Sequence, residues 1–320
     1  MNGEFLNRLI EADGAFVRIG DYLSSRGEFE GALAEFAAFG FGIEVRGDGD
    51  RVEAAIRAPA TRLCPDQIEW RLETRTIGRR IAVWDRVTST NDVAFRASGS
   101  KANDGFVALA EEQTAGRGRR GGVWSAERGT SILMSVLLFP KHPLDDPFWL
   151  TALAAVAVAR GVDLALGGTH VARIKWPNDI RVNERKVAGI LVERRDATVL
   201  GIGLNVNQSA ESWPIDLAER ATSLRVISGR FGDRSRIVRA LIGTLDDYYH
   251  RVTEQGLELL AREWFDHCEF RDRIVRVVAR NGEIVARAKG LESGARLLFV
   301  EEGGREMRIP VHAIEKLTNL

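Results

Sequence analysis

Apolar positions along the 320-residue chain fall into three regimes. Over residues 4–40 they recur at helical spacing. Phe5, Leu6, Leu9 and Ile10 form one face, Ile19–Ser25 predicts a second short helix ending near Gly27, and Phe29, Leu33, Phe36 and Phe39 mark a third. Gly42–Arg46 and Arg51–Ile56 then flank Gly47-Asp48-Gly49-Asp50, the pattern of a hairpin. Helices followed by a hairpin predict a winged helix-turn-helix-like domain over residues 1–62. Pro65–Glu73, with Ile68 and Leu72 on one side, predicts a linker helix within residues 63–79.

From residue 80 the pattern changes to short apolar runs. Arg80–Val87, Phe106–Glu111, Ser131–Leu138, Val171–Lys175 and Thr198–Asn207 predict strands, and Arg181–Glu193 predicts a hairpin turning at Asn183-Glu184. Phe148–Ala159 is apolar nearly all round, which predicts a helix sandwiched in the core. Arg160 and Asp163 interrupt the longer run Trp149–Leu166 and argue against a membrane span. Gln208–Pro214 predicts a mobile loop, followed by a helix that includes Ala221–Leu224 and by helices over Ser235–Gln255 and Leu257–Cys268. From Ile274 onward strand-like alternation, punctuated by Asn281-Gly282, Ser293-Gly294 and Gly303-Gly304, predicts a small β-barrel over residues 270–320.

Composition narrows the function classes. With 45 Lys and Arg against 45 Asp and Glu, bulk charge draws the chain to neither nucleic acid nor membrane. Cys64 and Cys268 belong to no CxxC or Cys/His pattern, which disfavours a disulfide framework or zinc site and fits a reducing cytoplasm. The first residues lack a basic stretch followed by an apolar run, so no signal peptide is expected. Residues 1–60 hold six arginines against eleven carboxylates, and the would-be recognition helix Gly27–Gly40 carries Glu28, Glu30 and Glu35 with no basic residue. Such a surface repels phosphate and lacks the side chains that read base edges. A structural or interaction role is expected there, the alternative being DNA binding through Arg46, Arg51 and Arg57 of the wing.

The candidate chemistry centres on Gln113–Trp124, where four glycines and three arginines occupy residues 116–122 between two predicted strands. Glycines let the backbone approach a ligand and free its N–H groups for anions, and arginines suit carboxylate or phosphate. Alone, the cluster reads equally well as a basic loop touching nucleic acid. Its company decides: Ser89-Thr90-Asn91 upstream, then Lys175–Asp179, Arg185–Glu193 and Gly201–Asn207 in order. Taken singly, Ser89 or Thr90 is a helix N-cap, Asn178-Asp179 a turn and Lys186 a solvated hairpin lysine. Together, over roughly residues 80–320, they resemble the biotin protein ligases, biotin–[acetyl-CoA-carboxylase] ligases.

The resemblance implies an α+β protein: a class II synthetase-like mixed sheet over residues 80–269, an SH3-like barrel over 270–320, and the bifunctional ligase/repressor layout with a degenerate N-terminal domain. It implies activation of biotin by ATP and Mg²⁺ to biotinyl-5′-AMP, then transfer to a lysine of the biotin carboxyl carrier protein. On matching positions it implies biotin contacts from Ser89, Thr90, Asn91, Gln113, Arg117, Gly118, Arg119, Trp124, Lys186 and Gly189. ATP contacts fall to Lys175, Asn178, Asp179 and Asn205, with Asp179 also toward the metal. Lys186 and Arg119 are the expected catalytic residues, holding the biotin carboxylate and the adenylate. The implied partners are biotin, ATP and the carrier protein, and a homodimer is compatible with the resemblance; the charge and hydropathy pattern, not the resemblance, argues against DNA and membrane. A lipoate or octanoate ligase and a biotin-responsive DNA-binding repressor are the alternatives.

Overall fold

In the computed structural model the described residues are 3–48, 51–168, 171–280, 282–300 and 304–320. Helix α1 (Gly3–Glu11) buries Phe5, Leu6 and Leu9 against α2 (Arg26–Phe39), whose Phe36 ring lies 5.9 Å from that of Phe5. Between them come β1 (Val17–Arg18) and a single 3-10 turn, Ile19–Asp21, where the sequence predicts a second helix. The polar pair Ser24-Ser25 accounts for the difference. Ser25 Oγ accepts the Glu28 N–H at 3.2 Å, and the Glu28 carboxylate accepts the Ser24 N–H at 2.7 Å. This reciprocal capping starts α2 at Arg26 and takes both serines out of any preceding helix. Strands β2 (Gly42–Arg46) and β3 (Glu53–Ala58) pair antiparallel in a sheet of order β1-β3-β2. The predicted turn between them runs into residues 49 and 50, outside the described residues.

Helix α3 (Pro65–Glu69) is shorter than the predicted linker helix. Leu63, Ile68 and Ile77 are buried in the main core, and the Asp246 carboxylate accepts backbone N–H groups of Arg75, Thr76 and Ile77 at 2.7, 2.9 and 2.7 Å. Residues 63–79 are therefore stitched down along their length.

The central unit contains β4 (Ile81–Trp84), α4 (Thr90–Arg96), β5 (Val107–Ala110), β6 (Ser131–Leu138), α5 (Pro147–Leu166), β7 (Arg173–Lys175), β8 (Asp179–Val182), β9 (Arg185–Arg194) and β10 (Thr198–Asn205). Its sheet runs β4-β5-β6-β10-β9-β8-β7, with β4 and β5 parallel and every other pair antiparallel. The β8–β9 hairpin turns on Asn183 and Glu184, both at positive φ (49° and 63°), as a two-residue turn requires.

Gln208 is buried, and the predicted mobile loop after it contains a 3-10 turn, Ala210–Ser212, before α6 (Ile215–Ala218). The helix expected to include Ala221–Leu224 begins only at α7 (Leu224–Ser228). Ser223 caps it by accepting the Val226 N–H at 3.1 Å, which leaves Ala221 and Thr222 extended beside β9. Helices α8 (Arg234–Gln255) and α9 (Glu258–His267) pack with α5 on one face of the sheet, while α4 covers the other with Val93, Ala94 and Phe95. Helix α5 is long and apolar enough to cross a bilayer, but 72% of its apolar stretch is buried inside this fold. It is a core helix because neighbours on several sides consume its apolar surface.

Five antiparallel strands close the chain: β11 (Ile274–Ala279), β12 (Gly282–Glu292), β13 (Arg296–Val300), β14 (Glu306–Pro310) and β15 (Ile314–Asn319), ordered β14-β13-β12-β11-β15. Asn281 and Gly303 of the predicted turns lie outside the described residues. Val275, Val277, Ala288, Leu297 and Phe299 on the inner face join the main core.

Candidate functional site

Strand β4 delivers Ser89 to the start of α4, where Ser89 Oγ caps the helix by accepting the Asn91 N–H at 3.3 Å. Ser89, Thr90 and Asn91 are all nearly inaccessible. The Thr90 N–H and hydroxyl donate to Gln113 Oε1 at 2.7 and 3.0 Å, and Ser135 Oγ on β6 lies 2.7 Å from Thr90 Oγ1 and 2.5 Å from Asn91 Oδ1. Asn91 Nδ2 donates to Glu193 Oε2 at 2.6 Å, and Glu193 also accepts from Arg117 at 3.0 Å. Arg117 in turn forks onto Asp92 at 3.0 and 2.8 Å. One polar row thus crosses the sheet, ending in ions on the β9 side. The Arg117 hydrogen bond holds the Asp92 carboxyl below its usual range. Burial works to raise Glu193, but hydrogen bonds from Arg117 and Asn91 outweigh it and hold that carboxyl low as well.

The loop between β5 and β6 folds back on itself. The Trp124 N–H donates to Gly116 O at 3.0 Å, the Gly118 N–H to Gly122 O at 2.6 Å, and Arg120 sits in the left-handed region at φ 53°. This return lays the Trp124 indole on the sheet over Gly189 and Gly203, which face each other in the β9–β10 register. A methyl on Gly203 would stand 2.6 Å from Trp124 Cζ2, and one on Gly189 would stand 3.1 Å from Cζ3. On Gly201 it would meet Asn91 Oδ1 at 2.5 Å. The groups that fill the space these glycines leave are Trp124 and Asn91.

At the mouth, Lys186 Nζ lies 2.7 Å from Asp179 Oδ1 and 5.5 Å from the Trp124 ring centre. Asn178 is held by a 2.7 Å bond from Nδ2 to Ile190 O, and its Oδ1 accepts from Arg119 at 3.2 Å. Arg119 is exposed, though partial shielding of its guanidinium and repulsion from Arg120 lower its pKa. Lys186 is fixed from behind: its N–H donates to Arg220 O at 2.7 Å, and its carbonyl accepts from Thr222 at 2.9 Å.

One cavity of about 60 Å³ brings together Ser89, Thr90, Asn91, Gln113, Arg117, Gly118, Arg119, Trp124, Asn178, Lys186 and Gly189. Three expected ATP contacts fall elsewhere. Lys175 is exposed at the end of β7, away from the lining. Asp179 stands behind the mouth, paired with Lys186. Asn205 is buried in β10, where its amide donates to Thr222 O at 3.1 Å and its oxygen accepts from Gln208 at 3.2 Å. Arg117 and Asn91 line the cavity, but partners within the fold occupy their polar groups. Among the described residues no group of three or more His, Cys, Asp or Glu side chains could hold a metal ion, and the carboxylate expected to do so is neutralised by Lys186. The residues present do not form a ready metal site. Sequence reasoning missed Ser135, Leu133, Met134, Ile190, Leu191 and Ile202 of the site; strand periodicity marks them as buried without saying which ones face a cavity.

The sequence profile described as "Biotin/lipoate A/B protein ligase family" matches residues 83–208. The bifunctional ligase/repressor BirA of Bacillus spizizenii is 34% identical over 274 residues, covering 81% of this chain and 83% of the relative. The biotin–[acetyl-CoA-carboxylase] ligase of Mycobacterium tuberculosis is 32% identical, covering 76% and 93%. Among solved structures, the biotin protein ligase of Aquifex aeolicus in complex with biotin and ATP superposes with a TM-score of 0.66 at 25% identity, covering 76% of this chain and all of that one.

Proposed function

Because this chain belongs to the biotin protein ligase family, we propose that its pocket activates biotin with ATP and passes it to a lysine of the biotin carboxyl carrier protein of acetyl-CoA carboxylase. One observation carries the reading: a neutral, hydrogen-bonding inner end (Ser89, Thr90, Gln113) opens onto a cationic mouth (Lys186, Arg119) beneath an indole. That order matches a ureido ring, an apolar chain and a terminal carboxylate.

Lys186 exchanges Asp179 for the biotin carboxylate and holds it toward the α-phosphate of ATP. The carboxylate oxygen attacks phosphorus and pyrophosphate leaves, giving biotinyl-5′-AMP. The carrier's amine then attacks the acyl carbon, AMP departs, and an amide forms. Arg119, with Asn178 behind it, closes over the adenylate phosphate. Rate comes from positioning and charge stabilisation, and no covalent enzyme intermediate is needed. Mg²⁺ arrives with ATP as part of the substrate, and no step is assigned to it. The test is direct: with biotin, ATP and Mg²⁺ the protein releases pyrophosphate and labels an apo-carrier domain. Absence of both sinks the reading. A lipoate or octanoate ligase is second, disfavoured by the Gly116–Gly122 arginine loop.

We read residues 1–62 as a degenerate winged-helix-like domain, 63–79 as a short connection, 80–269 as the catalytic domain and 270–320 as SH3-like, in a cytoplasmic protein that pairs with a second copy of itself. Two of the wing's three arginines, Arg46 and Arg57, are engaged within the domain. Arg46 pairs with Glu53 at 2.8 Å and Arg57 with Glu44 at 2.5 Å, both over the Phe16 ring. The expected result is no salt-dependent, sequence-specific DNA binding at about nanomolar protein, the range a specific regulator reaches. A shifted band with operator DNA at that concentration would restore the repressor alternative that the relatives' names carry.

Gly203→Ala is expected to raise the KM for biotin by about 10- to 100-fold, because its methyl displaces the Trp124 indole; a core overpacking of this kind costs about 1–3 kcal/mol. An unchanged KM in folded Gly203→Ala would dissociate the indole from binding.

A further inference from the structure

A buried ion pair lies outside the pocket, where the N-terminal unit meets the catalytic sheet. Arg234 opens α8, is 1% exposed, and lies 2.7 Å from Glu111 Oε2 at the end of β5. Arg234 also donates to Thr61 O at 2.6 Å and Ser131 O at 3.2 Å, while Glu111 Oε1 accepts the Leu63 N–H at 2.5 Å. The residues beside Arg234 reach the same segment: Ser235 Oγ accepts the Cys64 N–H at 2.9 Å, and Asp233 accepts from Gln67 at 2.6 Å. The segment leading out of the N-terminal unit, the end of β5 and the start of β6 therefore all meet at one pair.

Stability alone does not call for this arrangement. Among the described residues Arg234 Nε has no acceptor, the Glu111–Arg234 contact is ionic without hydrogen-bond alignment, and a cation sits at a helix N-terminus, where the dipole disfavours it. Apolar residues of similar volume usually serve a core at least as well as a buried pair. What the pair does gain is a fixed place for β5. Two residues beyond Glu111, Gln113 receives both Thr90 bonds of the pocket's inner end. We propose that Glu111 and Arg234 are positioning residues: by locking residues 61–67 to the end of β5 they set where Gln113 meets Thr90, and so tune biotin affinity from the N-terminal side. The proposal rests on the biotin ligase reading.

The test uses the full chain unmodified and as Glu111→Gln, Gln113→Ala and the double variant, with biotin-dependent pyrophosphate exchange as the readout. Glu111→Gln is expected to raise the KM for biotin about tenfold with the KM for ATP and kcat nearly unchanged, and to add nothing in the Gln113→Ala background, as for contacting residues that act as a unit. Asp246→Asn loosens residues 75–77 away from the pocket and serves as the comparison. It is expected to lower the thermal midpoint without moving the biotin KM. An unchanged biotin KM in Glu111→Gln, a full additional rise in the double variant, or an equal rise in Asp246→Asn each overturns the proposal. Should Glu111→Gln not fold, Arg234→Lys replaces it under the same criteria, and failure of both to fold reduces the pair to a stabilising role and ends the proposal. No exchange by the unmodified chain would instead remove the ligase reading, and this one with it.

Discussion

Replacing Lys186 by alanine is expected to cut adenylate synthesis by about 10²–10³-fold, the usual cost of deleting one preorganised charge-stabilising group. The ammonium is the cation nearest the place assigned to the biotin carboxylate, and that carboxylate is a weak nucleophile unless held in line with phosphorus. The fold should survive, because the backbone of residue 186 keeps its bonds to Arg220 and Thr222, and the side chain is 36% exposed. Asp179, left without a partner, remains reachable by water. Supplying synthetic biotinyl-5′-AMP separates the two half-reactions: Lys186→Ala should still label the carrier from it. If the variant makes adenylate at the wild-type rate, Lys186 has been given the wrong task.

Arg119→Gly is expected to do the reverse, making the adenylate and failing to keep it. Hydrogen bonds to charged groups contribute about 1.5–3 kcal/mol, so loss of the guanidinium should speed escape of the intermediate by roughly ten- to a hundredfold. Free adenylate acylates exposed lysines, so serum albumin added to the reaction should become biotinylated. Arg119 suits this task and Arg117 does not. Arg119 is exposed and its guanidinium hydrogen-bonds to Asn178, whereas Arg117 is held by Asp92 and Glu193 and should act as an anchor for the loop. Albumin left unlabelled by Arg119→Gly would count against the assignment.

Much of this was legible along the chain because burial on both faces of a strand leaves a nearly continuous apolar run. Ser131–Leu138 is buried at every position and was bounded correctly from its sequence. The hairpin at Asn183-Glu184 was legible too, since Asn tolerates the left-handed backbone that a two-residue turn requires, although Glu184 gives no such signal. The short helix at Ile19 was not, because the outcome rested on which backbone N–H the Ser25 and Glu28 side chains captured. Most expected pocket residues did converge. Asn205 did not, since nothing local distinguishes an asparagine facing a ligand from one bonded to Thr222 across 17 residues. The Glu111–Arg234 pair joins residues 123 positions apart in a chain rich in both types, and no local pattern selects those two.

The indole resting on Gly189 and Gly203 also gives the protein an optical signal of its own. Of the seven tryptophans, Trp124 is the one lining the pocket, and its Nε1–H is buried without an acceptor among the described residues. Its emission depends on the burial of that nitrogen, on the Lys186 ammonium 5.5 Å from the ring centre, and on the loop that carries it. Any molecule entering beneath the ring alters all three together, so ligand occupancy and loop closure can be timed from intrinsic fluorescence, and Trp124→Phe supplies the blank.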